Sequence, residues 1–254
     1  MLSKNKIKYI QSLKDKKGRA EHGVFVAEGN KMVSELLQSM PCSLLVATSG
    51  FLRENIVPEV GELVEVTENE LCKASFLKTP QQVLGIFVIP SCQSQNVDWN
   101  SSLSLMLDGI QDPGNLGTII RLADWYGIEH IICSPDTADV YNPKVVQATM
   151  GALARVKVHY IDLPDWLANH TEIPVYGTFL DGENMYGQTL SSNGVVVMGN
   201  EGNGIRPEVA KHISRRLFIP TFPPGQKSSE SLNVAVATAI VCAEFRRNLL
   251  IKTL

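Results

Sequence analysis

Short apolar segments typical of buried strands alternate with helical segments through the second half of the chain. Six strands are expected there, at "LSLMLDGI", "IEHIICS", "RVKVHYI", "IPVYGTFL", "GVVVMGN" and "RRLFIP". The segments between them have helical spacing, and the last helix, "SLNVAVATAIVCAEFRRNLL", is apolar over a wide surface. Strands that are apolar on both faces and joined by helices predict an α/β fold with a mostly parallel sheet and helices on both faces.

A small α/β domain is predicted in the first half. Its expected strands are "GVFVAEG", "SLLVAT", "ELVEVT" and "QVLGIFVIP", and its helices are "NKMVSELLQSM" and "ENELCKASFL". Thr67 and Glu70 form a capping-box pattern at the start of the second helix. The polar stretch "IPSCQSQNVDWNSS" separates the two halves. We therefore predict a first domain at residues 1–94, a linker at 95–102 and a second domain at 103–254.

The cysteines and the apolar segments exclude several classes of protein. The five cysteines are scattered without a C-x-x-C pair, which argues against a disulfide framework and against a zinc site. The basic N-terminus lacks the apolar stretch of a signal peptide, and the longest apolar segment is too short to span a bilayer. We expect a cytoplasmic protein with no metal and no membrane association.

Positive charge is concentrated at the N-terminus, although the net charge of the chain is −3. Only Asp15 opposes this cluster, which consists of Lys4, Lys6, Lys8, Lys14, Lys16, Lys17 and Arg19. Such a cluster can follow a phosphate backbone, or it can be the solvated face of a first helix. The sequence alone leaves both interpretations open.

Three loops at the ends of predicted strands are candidate sites, because ligands bind beyond the carboxyl ends of parallel strands. The first loop lies in "LDGIQDPGNLGTIIRLADWYG". Its Asp112-Pro113-Gly114 sequence predicts a tight turn, and Asn115 is expected to cap the helix that follows. Arg121 lies further along this helix, where by itself it would be interpreted as a surface ion-pair residue.

The second and third loops do not fit the common nucleotide-binding motifs. "GNEGNG" at Gly199–Gly204 does not match the dinucleotide fingerprint, and the carboxylate of Glu201 would repel a phosphate. "GQKSS" does not fit the spacing of a P-loop. The third loop instead leads through a Pro-rich segment to Ser231, which precedes the long apolar helix.

In their order along the chain, "NLGTIIR", "GNEGNG" and "IP…SLNVAVA" resemble the motifs of the SpoU or TrmH family of RNA ribose 2′-O-methyltransferases, within the SPOUT superfamily. "VFVAEGNKMVSELL" and "TPQQVLGIF" are similar to that family's N-terminal substrate-binding domain, which is like the ribosomal L30e and L7Ae proteins. The resemblance covers essentially the whole chain. It implies a deep trefoil knot in the C-terminal domain and a homodimer built around it.

The resemblance also implies an activity and a set of site residues. The activity is metal-free methyl transfer from S-adenosyl-L-methionine (AdoMet) to a ribose 2′-hydroxyl of structured RNA, with ribosomal RNA favoured over tRNA. The implied cofactor-binding residues are Thr178, Gly199, Ile219 and Leu232. The implied catalytic residues are Arg121, Asn115, Glu201, Ser231 and Asn233. AdoMet carries a sulfonium and an ammonium group and no phosphate, so a nearby glutamate is compatible with it.

Arg121 has two possible roles in this scheme. It is either the base that takes the proton of the hydroxyl group or a clamp on the RNA phosphate beside the target ribose. The second role is considered because a guanidinium group stays protonated in proteins.

The sequence departs from the family pattern in the third loop, and it is also compatible with two other functions. Thr221 follows Ile219-Pro220 where the family usually has Met, and a long segment before Leu232 predicts a longer knot-forming loop. The alternatives are a non-catalytic RNA-binding protein of the same fold and a nucleotide enzyme of the Rossmann type. The intact motif residues argue against the first alternative, and the missing fingerprint argues against the second. AdoMet binding without nicotinamide binding would separate them.

Overall fold

The computed structural model of the protein describes residues 2–91, 97–223 and 231–253. The chain forms two compact units. One unit comprises Met1–Ser91 together with Asp139–Ala154, and the other comprises Cys92–Ala138 together with Arg155–Leu254. Both units are α/β structures, as the sequence predicts.

The first unit contains a four-stranded sheet with the order β1-β4-β2-β3. Its strands are β1 (Val24–Glu28), β2 (Cys42–Thr48), β3 (Leu63–Val66) and β4 (Val83–Val88). Strand β4 runs antiparallel to β1 and β2, whereas β2 and β3 are parallel. All four strands coincide with segments that the sequence predicts to be strands.

Helices cover both faces of this sheet. They are α1 (Lys4–Ser12), α2 (Lys16–His22), α3 (Asn30–Leu37), α4 (Ser49–Glu54) and α5 (Glu68–Ala74). The predicted capping box is present, since Thr67 and Glu70 each accept a hydrogen bond from the other's backbone N–H. The sequence analysis missed α4, because a helix of six residues is too short to show a helical period in the sequence.

The burial of β1 shows why the sheet needs cover on both faces. All five residues of this strand are buried. Phe25 lies in one apolar cluster with Leu36 of α3, and Val26 lies in another cluster with Ile10 of α1. Successive side chains of a strand point to opposite faces, so the two clusters form separate cores above and below the sheet.

A segment from the second half of the sequence completes the first unit. Helix α7 (Pro143–Thr149) packs against β1, and Val146 joins the cluster of Phe25. The guanidinium of Arg19, which is 3% exposed, donates to Asp139 Oδ2 at 2.6 Å and to two backbone carbonyls of the α1–α2 turn. The domain boundaries stay a prediction, and residues 139–154 are the part of the predicted second domain that packs in the first unit.

The second unit contains a six-stranded sheet with the order β10-β8-β9-β5-β6-β7. Its strands are β5 (Leu103–Asp108), β6 (His130–Cys133), β7 (Lys157–Tyr160), β8 (Val175–Asn184), β9 (Gly194–Gly199) and β10 (Arg215–Phe218). Every pair of neighbours is parallel, which confirms the predicted parallel sheet. The two central strands are almost completely buried, in keeping with their near-continuous apolar sequences.

Helices α6 (Pro113–Trp125), α8 (Leu163–Ala168), α9 (Pro207–Ala210) and α10 (Val234–Thr253) cover this sheet. On one face Trp166 of α8 and Val209 of α9 pack in a cluster with Val195 and Val197 of β9. Helix α10 packs against α6 and β9. Within the described part of the chain, no helix has the length and apolar character that a bilayer crossing requires.

The strand order places the motif loops at one edge of the sheet. Strands β6 and β7 lie on one side of β5, and β9, β8 and β10 lie on the other. The chain thus changes direction between β5 and β9, and such a switch point opens a crevice at the carboxyl ends of the strands. The loops that follow β5, β9 and β10 all start at this edge.

Candidate active site

A pocket of about 560 Å³ lies at the carboxyl edge of the second sheet. Residues 178–180 of β8, residues 198–204 after β9 and residues 217–222 at the end of β10 form most of its wall, and residues at the start of α10 close it. The cofactor-binding residues expected from the sequence, Thr178, Gly199, Ile219 and Leu232, all line this one pocket. Four segments that are far apart in the sequence thus meet at one pocket, as the family resemblance implies.

The glycine-rich loop after β9 is a tight, internally bonded turn. Asn200 and Gly204 exchange two backbone hydrogen bonds of 3.0 Å, and Asn200 Oδ1 accepts from the backbone N–H of Gly202 and Asn203. A Cβ on Gly199 would lie 2.3 Å from the carbonyl carbon of Gly204, so no side chain fits there. Gly204 has a φ of +69°, which L side chains rarely adopt. The glycines thus allow the turn that presents Glu201.

Helix α6 begins earlier than the sequence suggested. Asp112 is its N-cap and accepts a 2.8 Å hydrogen bond from the backbone N–H of Asn115, while Pro113 occupies the first helical position. The predictions that residues 112–114 form a separate turn and that Asn115 is the cap were therefore wrong. Proline has the φ of a helix start and needs no N–H there, and aspartate caps as well as asparagine does. The side chain of Asn115 is consequently free for other contacts.

Asn115 connects the three motif loops. Its Nδ2 donates to Glu201 Oε1 at 3.0 Å, and its Oδ1 accepts from Asn233 Nδ2 at 3.0 Å. Asn233 precedes α10, and its Oδ1 accepts from the backbone N–H of Ala235 and Val236. One continuous hydrogen-bonded chain thus joins the loops after β5 and β9 to the start of α10.

Two of the expected catalytic residues lie outside this hydrogen-bonded chain. Arg121 is exposed and, within the described residues, its side chain has no hydrogen bond or ion pair. It lies six residues after Asn115, which on a helix is about 9 Å along the axis and about 120° around it. Ser231 lines the pocket, but it has no hydrogen bond to Asn115, Glu201 or Asn233 among the described contacts.

An ion pair between the buried Asp108 and the partly exposed Arg206, which sequence reasoning missed, anchors the glycine-rich loop. Asp108, the last residue of β5, is 1% exposed. It accepts hydrogen bonds from the backbone N–H of Arg206 at 2.8 Å and from Arg206 Nε at 2.7 Å. Asn200 Nδ2 adds a 2.7 Å bond to the carbonyl of Gly109. The sequence feature that could have predicted this pair is Asp108 itself, because a carboxylate at the end of a buried strand needs a charged partner.

The charge of the pocket limits the kind of ligand it can hold. Among the lining residues that the structure describes, Glu201 is the only charged one. Among these described residues a phosphate group would find no lysine or arginine, whereas a cationic ligand would find the carboxylate of Glu201. Across the described residues, no group of three or more His, Cys, Asp or Glu side chains is placed to hold a metal ion.

Together, the parallel sheet, the pocket at its carboxyl edge and the joined motif loops define an α/β ligand-binding protein with a separate N-terminal α/β unit. The chain belongs to the SpoU rRNA methylase family, whose sequence model matches residues 102–243. Residues 4–85 match the MRM3-like substrate binding domain. The family resemblance predicted from the three motifs is thus confirmed.

Full-length relatives agree with this assignment. The 23S rRNA (guanosine(2553)-2′-O)-methyltransferase RlmP of Bacillus subtilis is 30% identical over 95% of this chain and 96% of its own length. The structure of a TrmH-family protein from Porphyromonas gingivalis shares 45% identity and a TM-score of 0.89, covering 98% of this chain and 99% of that one. An AdoMet-bound rRNA methyltransferase from Sinorhizobium meliloti shares 30% identity and a TM-score of 0.85, covering 98% and 97%.

Proposed function

We propose that this protein is an AdoMet-dependent RNA methyltransferase that methylates a ribose 2′-hydroxyl, with ribosomal RNA as its substrate. The observation that carries the proposal is the meeting of all four expected cofactor-binding residues in one pocket. The relative from Bacillus subtilis, which this chain matches over nearly its whole length, is named for the same reaction on 23S rRNA. Ribosomal RNA is therefore favoured over tRNA.

The pocket suits AdoMet in size and in chemistry. Its volume of about 560 Å³ lies within the usual range for small-ligand sites. Phe179, Met198 and Leu217 supply apolar surface for a flat base, and Ile219 and Pro220 bring backbone groups to the same wall. Bound AdoMet would supply a methyl group on a positively charged sulfur, and the carboxylate of Glu201 in the pocket wall is compatible with that charge.

The described residues have distinct tasks in this reaction. We propose that the chain Asn233–Asn115–Glu201 holds the three loops in one geometry, because methyl transfer needs the reacting atoms in line. Arg121, exposed on α6, is available to bind the phosphate beside the target ribose or to act on its hydroxyl proton. Ser231 is proposed to contact the bound molecules from the pocket wall. Bound AdoMet would supply the methyl group, and the hydroxyl proton would pass to Arg121 if it acts as the base, or to water if Arg121 clamps the phosphate.

We assign RNA binding to the N-terminal unit, and the structure reduces its set of candidate phosphate contacts. Arg19 is buried with Asp139, so it is not available to contact RNA. Lys6 is paired with Glu62. The remaining exposed cations of the cluster are Lys4, Lys8, Lys14, Lys16 and Lys17. These five lysines, called here the free lysine cluster, are the proposed contacts to the RNA backbone.

The family resemblance also underlies the proposal of a knotted C-terminal unit and a homodimer. Of the fourteen α10 residues from Val234 to Arg247, seven are buried within their own unit, including Val241 and Phe245, and the others leave apolar surface available to a partner. That surface includes Val236, 50% exposed, and Trp125 of α6 is 83% exposed. Apolar surface of this kind is typical of contacts between subunits. Light scattering at micromolar concentration should give twice the mass of one chain, and a monomeric mass would contradict the dimer.

We further propose that the protein works in the cytoplasm. Cys42, Cys72, Cys133 and Cys242 are free thiols, while Cys92 lies outside the described residues. Burial raises the pKa of the Cys42 thiol to about 11 and that of Cys242 to about 12, so both stay protonated and unreactive. Free thiols of this kind suit a reducing compartment.

The activity can be tested directly. Ribosomal RNA from cells that lack the protein is incubated with the purified protein and with AdoMet carrying a labelled methyl group. The expected product is a single 2′-O-methylated nucleoside, found after digestion and then mapped. Label on a base would contradict the proposed reaction. Binding of AdoMet and RNA without any transfer would instead support the alternative of a non-catalytic RNA-binding protein.

A further inference from the structure

Strand β8 leaves its partner strand for five residues beside the pocket. Tyr176 and Gly177 pair with Arg215 and Arg216 of β10, but the next residue of β10, Leu217, pairs with Glu183. Residues 178–182 therefore have no partner on β10. We call this segment the β8 arch.

Small residues at both ends of the arch allow its shape. A Cβ on Gly182 would lie 2.6 Å from the carbonyl carbon of Leu217, so the arch rejoins β10 where no side chain fits. A Cβ on Gly177 would lie 2.8 Å from Cε2 of Phe179. The ring of Phe179 therefore lies against Gly177 together with Ile213, and both ends of the arch are closely packed.

The arch is part of the pocket wall. Thr178, Phe179 and Leu180 line the pocket, and the Leu180 side chain is 74% exposed. Because the register gives these residues no partner on β10, side-chain contacts contribute to fixing the position of the segment. A change in those contacts would move one wall of the pocket.

One residue of β10 provides two of these contacts. Arg216 Nη2 donates to Asp181 Oδ1 at 2.6 Å, and its guanidinium carbon lies 3.5 Å from the ring centre of Phe179. The hydrogen bond from Arg216 lowers the pKa of the Asp181 carboxyl, so this group stays ionised at neutral pH. An exposed ion pair or cation–π contact is weak by itself, but a planar guanidinium that makes both can fix a short unpaired segment.

We infer that Arg216 is a positioning residue of the cofactor site, which holds the β8 arch in place as the wall against AdoMet. This inference rests on the proposed function, because it assigns the pocket to AdoMet. Arg216 itself touches no reacting atom in this scheme, so its loss should affect cofactor binding and leave the rate at saturation nearly unchanged.

The neighbouring residue offers a matched control. Arg215 lies on the same strand and is also exposed, but it donates to the carbonyl of Thr189 at 2.8 Å and stands 5.9 Å from the ring centre of Tyr176. It does not line the pocket and has no contact with the arch among the described residues. Arg215→Met and Arg216→Met therefore remove the same charge from the same strand.

The test measures AdoMet binding by calorimetry, together with kcat and KM, on the full-length protein. For Arg216→Met we expect the Kd and KM for AdoMet to rise about tenfold, with kcat at saturating AdoMet within about twofold of wild type. Arg216→Lys keeps the ion pair without the planar stack and should fall in between. Arg215→Met should match wild type. Thermal melting of each variant shows that the fold is intact.

Three results would overturn the inference. They are an unchanged Kd in Arg216→Met, an equal loss in Arg215→Met, or a fall in kcat without a change in Kd. If wild-type protein itself does not bind AdoMet, the proposed function fails and the inference fails with it. The wild-type titration therefore separates the two failures.

Discussion

Asn233 and Asn115 stand 118 positions apart in the chain, yet Nδ2 of Asn233 donates to Oδ1 of Asn115 at 3.0 Å. The direction of this bond is determined by its surroundings. Asn233 Oδ1 already accepts two backbone N–H groups of α10, so only its amide nitrogen can face Asn115. The oxygen of Asn115 is thereby engaged, and its nitrogen must face the carboxylate of Glu201. Replacing Asn115 tests whether this orientation matters.

We predict that Asn115→Asp reduces methyl transfer roughly a hundredfold, as expected for the loss of one organising donor in an active site. The new carboxylate would face Glu201 and repel it, so the loop after β9 would lose its tie to α6. AdoMet affinity should change much less, because Asn115 does not line the pocket. Single-turnover rates and calorimetry on the same preparation measure the two effects. Asn169→Asp, at the exposed end of α8, is the control.

Arg121→Lys should keep AdoMet affinity and lose most methyl transfer, by about a hundredfold or more. Lysine carries the charge but lacks the planar fork that is needed both to clamp a phosphate and to act on a hydroxyl proton. Rates at saturating RNA and AdoMet provide the measurement. Arg155→Lys is a suitable control. Arg155 is an exposed arginine, and it pairs with Asp124, which lies on the same helix as Arg121. Near-normal turnover in Arg121→Lys would exclude both roles.

Much of the site was predictable, because the glycine-rich loop and the ordered motifs depend on local sequence. The alternation of apolar strand segments with helices also predicted the parallel sheet. The loops that follow parallel strands lie at the same edge of the sheet, so the motif loops were expected to meet there. The capping of α6 was predicted wrongly because Asp112 and Asn115 are equally good caps, and only the position of Pro113 decides between them.

Other features depend on contacts between distant residues, which a periodic pattern does not encode. The pairing of Asp108 with Arg206 joins residues 98 positions apart. The β8 arch exists because Leu217 pairs with Glu183, a register that a continuous apolar run does not specify. A periodic pattern also does not show that Val146 packs in the first unit, because its helix would have the same apolar pattern whichever sheet it covers.

Two histidines of the second sheet should make stability depend on pH. His130 Nδ1 and His159 Nε2 lie 3.0 Å apart, and His159 is 4% exposed with its Nδ1 unpaired in the described structure. Burial lowers the pKa of both rings. The positive charges of His130 and Lys157 lower the pKa of His159 further, to about 4. Lys157 also lowers the pKa of His130, and the carboxylate of Glu129 partly opposes that shift. Both rings are therefore neutral in the folded protein at pH 7.

The sign of the effect follows from proton binding. Below pH 6.5 the unfolded chain binds protons at these histidines more readily than the folded chain does, so the contribution to stability is present above pH 6.5. It is lost as the pH falls towards 4, and we expect a cost of about 2 kcal/mol over this range. Urea unfolding at several pH values measures it. His159→Gln should flatten the dependence, and equal slopes in wild type and His159→Gln would contradict the prediction.

The free lysine cluster should set the salt dependence of RNA binding, and point substitutions test this better than truncation does. A fragment that starts near residue 96 would keep α7 but lose the core in which Val146 packs, so its behaviour would mix misfolding with lost RNA contacts. Lys4 and Lys8 are exposed one helical turn apart on α1, so they can contact neighbouring phosphates. We therefore predict that Lys4→Gln combined with Lys8→Gln weakens RNA binding and lowers the slope of log K against log salt by about two.

Lys6→Gln is the matched control for this prediction, because Lys6 lies on the same helix but is paired with Glu62. Its replacement removes a positive charge that is already paired with a carboxylate, so the salt slope should stay within about half a unit of wild type. Titrations of labelled ribosomal RNA fragments at four or more salt concentrations provide all three slopes. AdoMet titrations should be the same for all three proteins, since none of these lysines lines the pocket proposed to bind AdoMet. If the double variant keeps the wild-type slope, α1 does not face the RNA backbone and another surface of the protein must bind it.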